Sequence, residues 1–263
     1  EWLATLLEMD FQLVKTPMSY NSQLGVALSL LQLHPQAELA IIEAGISERG
    51  EMAVLAEMIQ PTLGLLTHMG SAHAEGFASE EEKLAEKLLL FSEVETLLAS
   101  SRQAAVLPAL EALDRPLLRI GERLADDWQV VGAIRDEQGW RFGLKPAQGA
   151  PLPAQLPLGS EADLENASLA FLAAVALGLS PETAAERLAL LYPVQMRTEI
   201  ITDNPEITLI NDSYNSDVDA VRSALQLLAQ TSAQPRRSVI LSDIPHLGER
   251  QAATQAQILA EAE

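Results

Sequence analysis

Cysteine is absent from the 263 residues, which excludes a disulfide framework and thiolate metal centres and is compatible with a reducing compartment. Cations are scarce as well. The chain has 17 Lys and Arg against 37 Asp and Glu, a formal net charge of −20, and no stretch gathers the basic residues. A surface that tracks nucleic-acid phosphates is therefore not expected. A small anionic substrate would have to be held by local cations, metal ions or helix N-termini rather than by the overall field. Long apolar runs are also missing, because stretches 39–42 and 169–179 are too short or too interrupted to cross a bilayer. Glu1 opens straight into a helical pattern, without the basic segment and apolar stretch of an export signal, although residues upstream of it are open to question.

What is present fits a soluble α/β protein. Hydrophobic residues make up 48%, and the length suits two domains. Short β-rich runs alternate with longer amphipathic ones. Strands are expected at 39–42, 63–67 and 104–107, with a later pair at 130–134 and 140–144. Ser47 is expected to cap a helix that carries Met52, Leu55 and Ile59 and ends at Pro61. Ser79 followed by Glu82 reads as a capping box for a helix reaching Phe91. Residues 148–159, rich in Pro and Gly, read as a surface connection. A long apolar helix follows over 161–177, stopped by Gly178, and Ser180-Pro181 starts another. A second unit is expected from Tyr192, with a strand at 207–210, a helix at 216–229 and a strand at 238–242 in a Rossmann-like pattern. The expected division is thus 1–191 and 192–263.

Three elements carry chemistry. AIIEAG, residues 40–45, is a buried strand ending in Glu43, which places a carboxylate at the edge where open α/β sheets bind ligands. Glu43 is either a magnesium ligand or a solvated rim residue. The next strand runs into THMGSAHAEGF, residues 67–77, whose histidines and glutamate sit in a glycine-bounded loop at the same edge. His73 there can complete a metal or phosphate site, or merely pack. Lys83 and Lys87 then share one face of the following helix. Lysines on an acidic helix are usually solvated, yet Lys87 is flanked by Leu84, Leu88 and Leu90. A desolvated lysine becomes nucleophilic enough for carbamylation.

In order and spacing these elements resemble the central domain of the Mur ligases. The segment TPMSYNSQLGV (16–26) looks like the family's stretch after its phosphate loop, IEAG (42–45) like its metal-glutamate strand, and 67–77 like its histidine-bearing signature. Lys87, four residues before Phe91, falls where the family carries a carbamylated lysine. Asn166 matches an asparagine that touches adenine, and NDSYNS (211–216) resembles the start of the C-terminal domain. The likeness covers essentially the whole chain and is strongest to the branch that joins D-alanyl-D-alanine to UDP-N-acetylmuramoyl-tripeptide, in the form fused to an alanine racemase. Such a racemase would lie beyond Glu263. Departures are His68 and Ala27, where the family has asparagine and proline. No G-x-x-G-K-[ST] run occurs, so the phosphate loop, with an N-terminal UDP-binding domain, is expected upstream of Glu1.

The resemblance implies a P-loop-type, mostly parallel sheet flanked by helices and followed by part of a Rossmann-like domain. It implies a cytoplasmic ligase of peptidoglycan synthesis that uses ATP and Mg2+, passes through an acyl phosphate, and has no nucleic-acid or membrane partner. Glu43, His73 and carbamylated Lys87 would be its catalytic and metal-holding residues. Thr16 and Asn21 would contact the muramoyl-peptide substrate, Asn166 the adenine, and Arg197, Asp212 and Asn215 the ribose or phosphates. Two other readings stay open: a folylpolyglutamate- or cyanophycin-type ligase of the same superfamily, and a non-catalytic nucleotide-binding remnant.

Overall fold

The computed structural model describes residues 1–70, 76–194, 196–204, 206–214, 216–231, 236–244, 247 and 251–262. The chain begins with α1 (Trp2–Leu7) and β1 (Leu13–Lys15), followed by α2 (Gln23–Leu30), β2 (Leu39–Ile41), α3 (Glu51–Ile59) and β3 (Leu63–Leu66). Next come α4 (Glu80–Leu88), β4 (Thr96–Ser100), α5 (Leu107–Glu111) and β5 (Leu117–Gly121). Strands β6 (Trp128–Asp136), β7 (Gly139–Pro146) and β8 (Leu152–Leu156) lead to α6 (Glu161–Ala176) and α7 (Pro181–Arg187). The last elements are β9 (Glu199–Asn204), β10 (Ile207–Asn211), α8 (Val218–Gln230) and α9 (Gln251–Ala262).

Strands β3, β4, β5 and β6 run parallel in sequence order, and β7 and β8 extend the same six-stranded sheet antiparallel. Beside it β1 and β2 form a parallel pair. The mostly parallel sheet flanked by helices agrees with the fold class read from the sequence. Parallel strands need crossovers, and the alternation of short apolar runs with amphipathic ones supplies helices for those of β1 to β2, β3 to β4 and β4 to β5, whereas β6 follows β5 with no helix between them.

The core lies between the sheet and α6. Leu164, Leu169, Phe171 and Leu172 are each at most 1% exposed, and the Phe171 ring meets Trp128 edge-on at 4.9 Å. Removing a side chain of this size from water contributes about 1.5–3 kcal/mol. Ser160 and Asp163 close a reciprocal capping box at the start of α6, and Gly178, at φ +99, adopts the left-handed turn that ends it.

Several expectations are corrected. Residues 104–107 are not a strand: the buried strand is β4, and 104–107 lead into α5 with Pro108 in its first turn. A short apolar run does not distinguish strand from helix, and proline at the first helical positions favours the latter. The connection over 148–159 contains β8, which pairs with β7 through Leu144↔Leu152 to Trp140↔Leu156. Its one proline, Pro153, is tolerated because β8 is an edge strand. Ser47 does not cap α3, whose N-cap is the left-handed Gly50. Asp217 caps α8, so that helix begins two residues after Ser216. Residues 238–242 form no strand, and β9 and β10 are an antiparallel pair rather than the start of a parallel one.

Candidate functional site

The carboxyl ends of β1 and β2 meet in a polar knot. Thr16 continues the ladder, its amide donating to Ile41 O at 2.9 Å, and its buried Oγ1 accepts the Glu43 amide at 2.9 Å. Asn21 Nδ2 donates to Glu43 Oε1 at 2.8 Å, and Asn21 O accepts the Gly45 amide at 2.9 Å. A Cβ at Gly45 would lie 2.9 Å from Asn21 Cγ, so a larger residue there would push the Asn21 side chain off Glu43. The Glu43 carboxylate is thereby fixed in position yet remains exposed to the cavity.

Helix α4 supplies the cations. Ser79 Oγ accepts the Glu82 amide at 3.2 Å, while the Glu82 side chain reaches back to the Ala78 amide at 2.6 Å rather than to that of Ser79. Three acids in the first turn complement the helix dipole. Lys83 is buried and donates to Gly70 O. Its ammonium is held below the usual lysine range by burial, against the opposing pull of Glu80, Asp219 and Asp217. Lys87 lines the cavity. Burial pushes it below the usual lysine range too, with the charge of Lys83 adding and that of Glu43 opposing. A lysine so desolvated is more readily neutral and nucleophilic than one in water.

The opposite side of the cavity is made by α6, α8 and the segment between α7 and α8. Asn166 is exposed on α6, and Arg197 lies over the Tyr214 ring at 4.4 Å. Asp212 Oδ1 accepts the Thr198 amide at 2.8 Å. Burial raises the Asp212 carboxyl, while the Thr198 bond and Arg197 oppose that rise. The cavity, about 2160 Å³, is lined by Thr16, Asn21, Glu43, Lys87, Asn166, Arg197 and Asp212 together. Every expected site residue within the described chain thus faces one space. His73 and Asn215 lie outside the described residues.

Other residues around this space were not singled out from the sequence. Gln103 Oε1 accepts the Met69 amide at 3.1 Å and its Nε2 donates to Thr67 O, so one side-chain amide clasps the loop after β3. Glu86 Oε1 accepts the amides of Gly50 and Met52 at 2.9 and 3.0 Å. Arg135 on β6 donates to Gln230 at the end of α8, and His68 Nε2 stands 4.0 Å from Asp219 Oδ2. No local pattern announces such residues, because each acts across the fold. Among the described residues no group of three or more His, Cys, Asp and Glu side chains is arranged to hold a metal ion, and no helix is long and apolar enough to cross a membrane.

Comparison with known proteins agrees with the fold. The family described as Mur ligase middle domain matches residues 1–174. The UDP-N-acetylmuramoyl-tripeptide--D-alanyl-D-alanine ligase of Bacillus subtilis is 25% identical over 258 residues, covering 95% of this chain and 54% of that protein. Among solved structures, MurF from Acinetobacter baumannii superposes with a TM-score of 0.85 at 23% identity, covering 98% of this chain and 56% of that one. The MurF ligase from Thermotoga maritima, solved in complex with ADP, gives 0.86 at 20% identity, with 99% and 60% covered. The chain spans about half the length of the curated relatives it matches.

Proposed function

Because the chain belongs to the Mur ligase family, we propose that it carries the ATP-handling centre of a cytoplasmic ligase that joins D-alanyl-D-alanine to UDP-N-acetylmuramoyl-tripeptide. The observation that supports this reading best is the convergence of a fixed Glu43, a desolvated Lys87, and Asn166, Arg197 and Asp212 on one cavity.

The chemistry is an activation followed by an acyl transfer. The terminal carboxylate of the tripeptide takes the γ-phosphoryl group of ATP, releasing ADP. The dipeptide amine then attacks the acyl-phosphate carbonyl, a C–N bond forms, and phosphate leaves. Both steps build negative charge on oxygen, so the protein's contribution is mainly positioning and electrostatic.

The residues present fit a hard cation on one condition. Glu43 offers a carboxylate kept in place by Thr16 and Asn21, but an ammonium at Lys87 would repel the ion. Neutral Lys87 resolves this by attacking CO2: the N–C bond forms, one C=O pair moves to oxygen, and the amine proton leaves to solvent. The carbamate is then an anionic oxygen donor. Glu43, carbamylated Lys87 and His73 are the proposed holders of magnesium, which when bound neutralises phosphoryl charge. Asn166 meets the adenine, and Arg197, Asp212 and Asn215 engage ribose or phosphates. Thr16 and Asn21 face the peptide donor.

The test is phosphate release by the full-length protein. It should require ATP, UDP-muramoyl-tripeptide and D-alanyl-D-alanine together. A site that pairs a dipeptide's amide and distant carboxylate leaves those groups unmatched by a single amino acid, which should therefore be a poor acceptor. Release driven equally well by glutamate and a folate would overturn the assignment in favour of a folylpolyglutamate-type ligase. No release with any acceptor would favour a nucleotide-binding remnant.

A further inference from the structure

Glu86 is a buried acid for which the chemistry above has no use. It is 7% exposed, and burying a carboxylate is costly unless hydrogen bonds replace its water. Its partners are the amides of Gly50 and Met52, 2.9 and 3.0 Å from Oε1. These belong to the start of α3, where donors lack intrahelical partners and the helix dipole favours an anion. Gly50 has no side chain with which to cap the helix, and its φ of +91 disfavours most residues that could. The Glu51 carboxylate is turned the other way, onto the amides of Ser47 and Glu48 at 2.6 and 3.1 Å. Cap and helix therefore come from different elements, and Glu86 joins them.

This bond lies next to the reactive lysine. Successive residues on an α-helix point about 100° apart, so when Glu86 faces α3 its neighbour Lys87 is turned towards another part of the structure. There it senses the Glu43 charge, and both line the cavity. The backbone from Glu43 runs through Gly45 and Ile46 directly into the turn that Glu86 grips. Gly76 also packs on that turn, where a Cβ would collide with the Ser47 carbonyl. Helix α4 is only nine residues long, and the packing of Leu88 and the partly buried Leu84 leaves its rotation to directional bonds, that of Lys83 to Gly70 O at one end and those of Glu86 to α3 beside Lys87. Apolar contacts are non-directional, whereas two amide donors on one oxygen are not.

We propose that Glu86 is a positioning residue: by gripping the first-turn amides of α3 it sets the rotation of α4, so that Lys87 is presented to Glu43. The proposal rests on the functional reading of Lys87 given above. It concerns reach rather than charge. Glutamine keeps the length and the acceptor oxygen of Glu86. Aspartate keeps the charge but is shorter by one methylene, and alanine keeps neither.

The test compares full-length wild type with Glu86→Gln, Glu86→Asp and Glu86→Ala, each equilibrated with 13C-bicarbonate and observed by 13C NMR, with Lys87→Ala identifying the carbamate signal. Glu86→Gln should keep the signal and a kcat within about twofold of wild type, since the acceptor is retained. Glu86→Asp and Glu86→Ala should lose most of the signal and about tenfold or more in kcat, with KM for UDP-muramoyl-tripeptide unchanged, because a small misplacement of a reacting group is costly. If the alanine variant does not fold, the glutamine–aspartate pair decides. A carbamate signal and kcat that are unchanged in Glu86→Asp overturn the proposal, as does a loss in Glu86→Gln equal to that in Glu86→Asp. A wild-type enzyme without the signal, or Lys87→Ala with full activity, overturns the functional reading itself and this proposal with it.

Discussion

The two walls of the cavity differ in how they are held. On the sheet side, Thr16, Asn21, Glu43 and Gly45 are bonded to one another, and Glu86 ties α4 to α3. On the other side, α8 packs its apolar residues Val218 and Val221 into a small separate cluster that includes Ile258 of α9. Among its contacts with the sheet side are two polar ones near its opposite ends, His68 with Asp219 and Arg135 with Gln230. The sheet-side residues are tied by their own bonds, and of the facing elements α6 belongs to the main core while α8 packs in a cluster of its own. Metal ligands need the first kind of support, because their geometry must survive turnover. On the proposed reading the α8 side closes over nucleotide and excludes water, for which contacts near a helix's ends suit better than a shared core.

Substitutions can break this contrast or sharpen it. The largest effect is expected at Lys87. In the full-length enzyme Lys87→Ala should lower kcat by about a hundredfold or more, with partial return on adding a small carboxylate such as acetate. Wild-type activity in the variant, measured by phosphate release, would remove the sheet-side wall from the chemistry. Asn21→Ala should come next, with a loss of about tenfold in kcat. It removes the bond to Glu43 Oε1 and leaves a gap beside Gly45, and its cost in stability should be about 1 kcal/mol by denaturant unfolding.

Where the α8 side meets the sheet, Arg135→Ala should act on binding rather than on stability. Loss of its exposed contact with Gln230 should move the unfolding free energy by less than about 0.5 kcal/mol, while KM for ATP rises a few-fold. A kcat loss as large as that of Lys87→Ala would mean that the two walls do not differ in kind. The smallest effect concerns Lys83, the charge that both walls share, since it bonds Gly70 O and feels Asp217 and Asp219. Its folded pKa is lowered by burial, so between the folded value and the ordinary lysine value the unfolded chain binds more protons than the folded one. Stability from this group therefore rises with pH across that window. Thermal melts in the alkaline range should show this slope in the wild type and a weaker one in Lys83→Met.

Much of the sheet-side wall was legible before any coordinates. Glu43, Thr16, Asn21 and Lys87 are carried by motifs with fixed spacing, and the Ser79 cap and the helix from 161 to Gly178 follow from residues a few positions apart. These features depend on bonds between near neighbours, which a sequence states directly. The strand at 96–100 in place of 104–107, the pairing of β8 with β7, and the antiparallel β9 and β10 were not legible. Their apolar runs fit several partners, and register is chosen only when a neighbouring strand presents its free amides and carbonyls. The same limit applies at the site. Sequence spacing named a lysine and a glutamate that line one cavity. Tertiary structure alone decided that Glu86 grips the start of α3 and that Gln103 clasps the loop after β3, because a side chain that satisfies backbone groups tens of residues away leaves no periodic mark in its own neighbourhood.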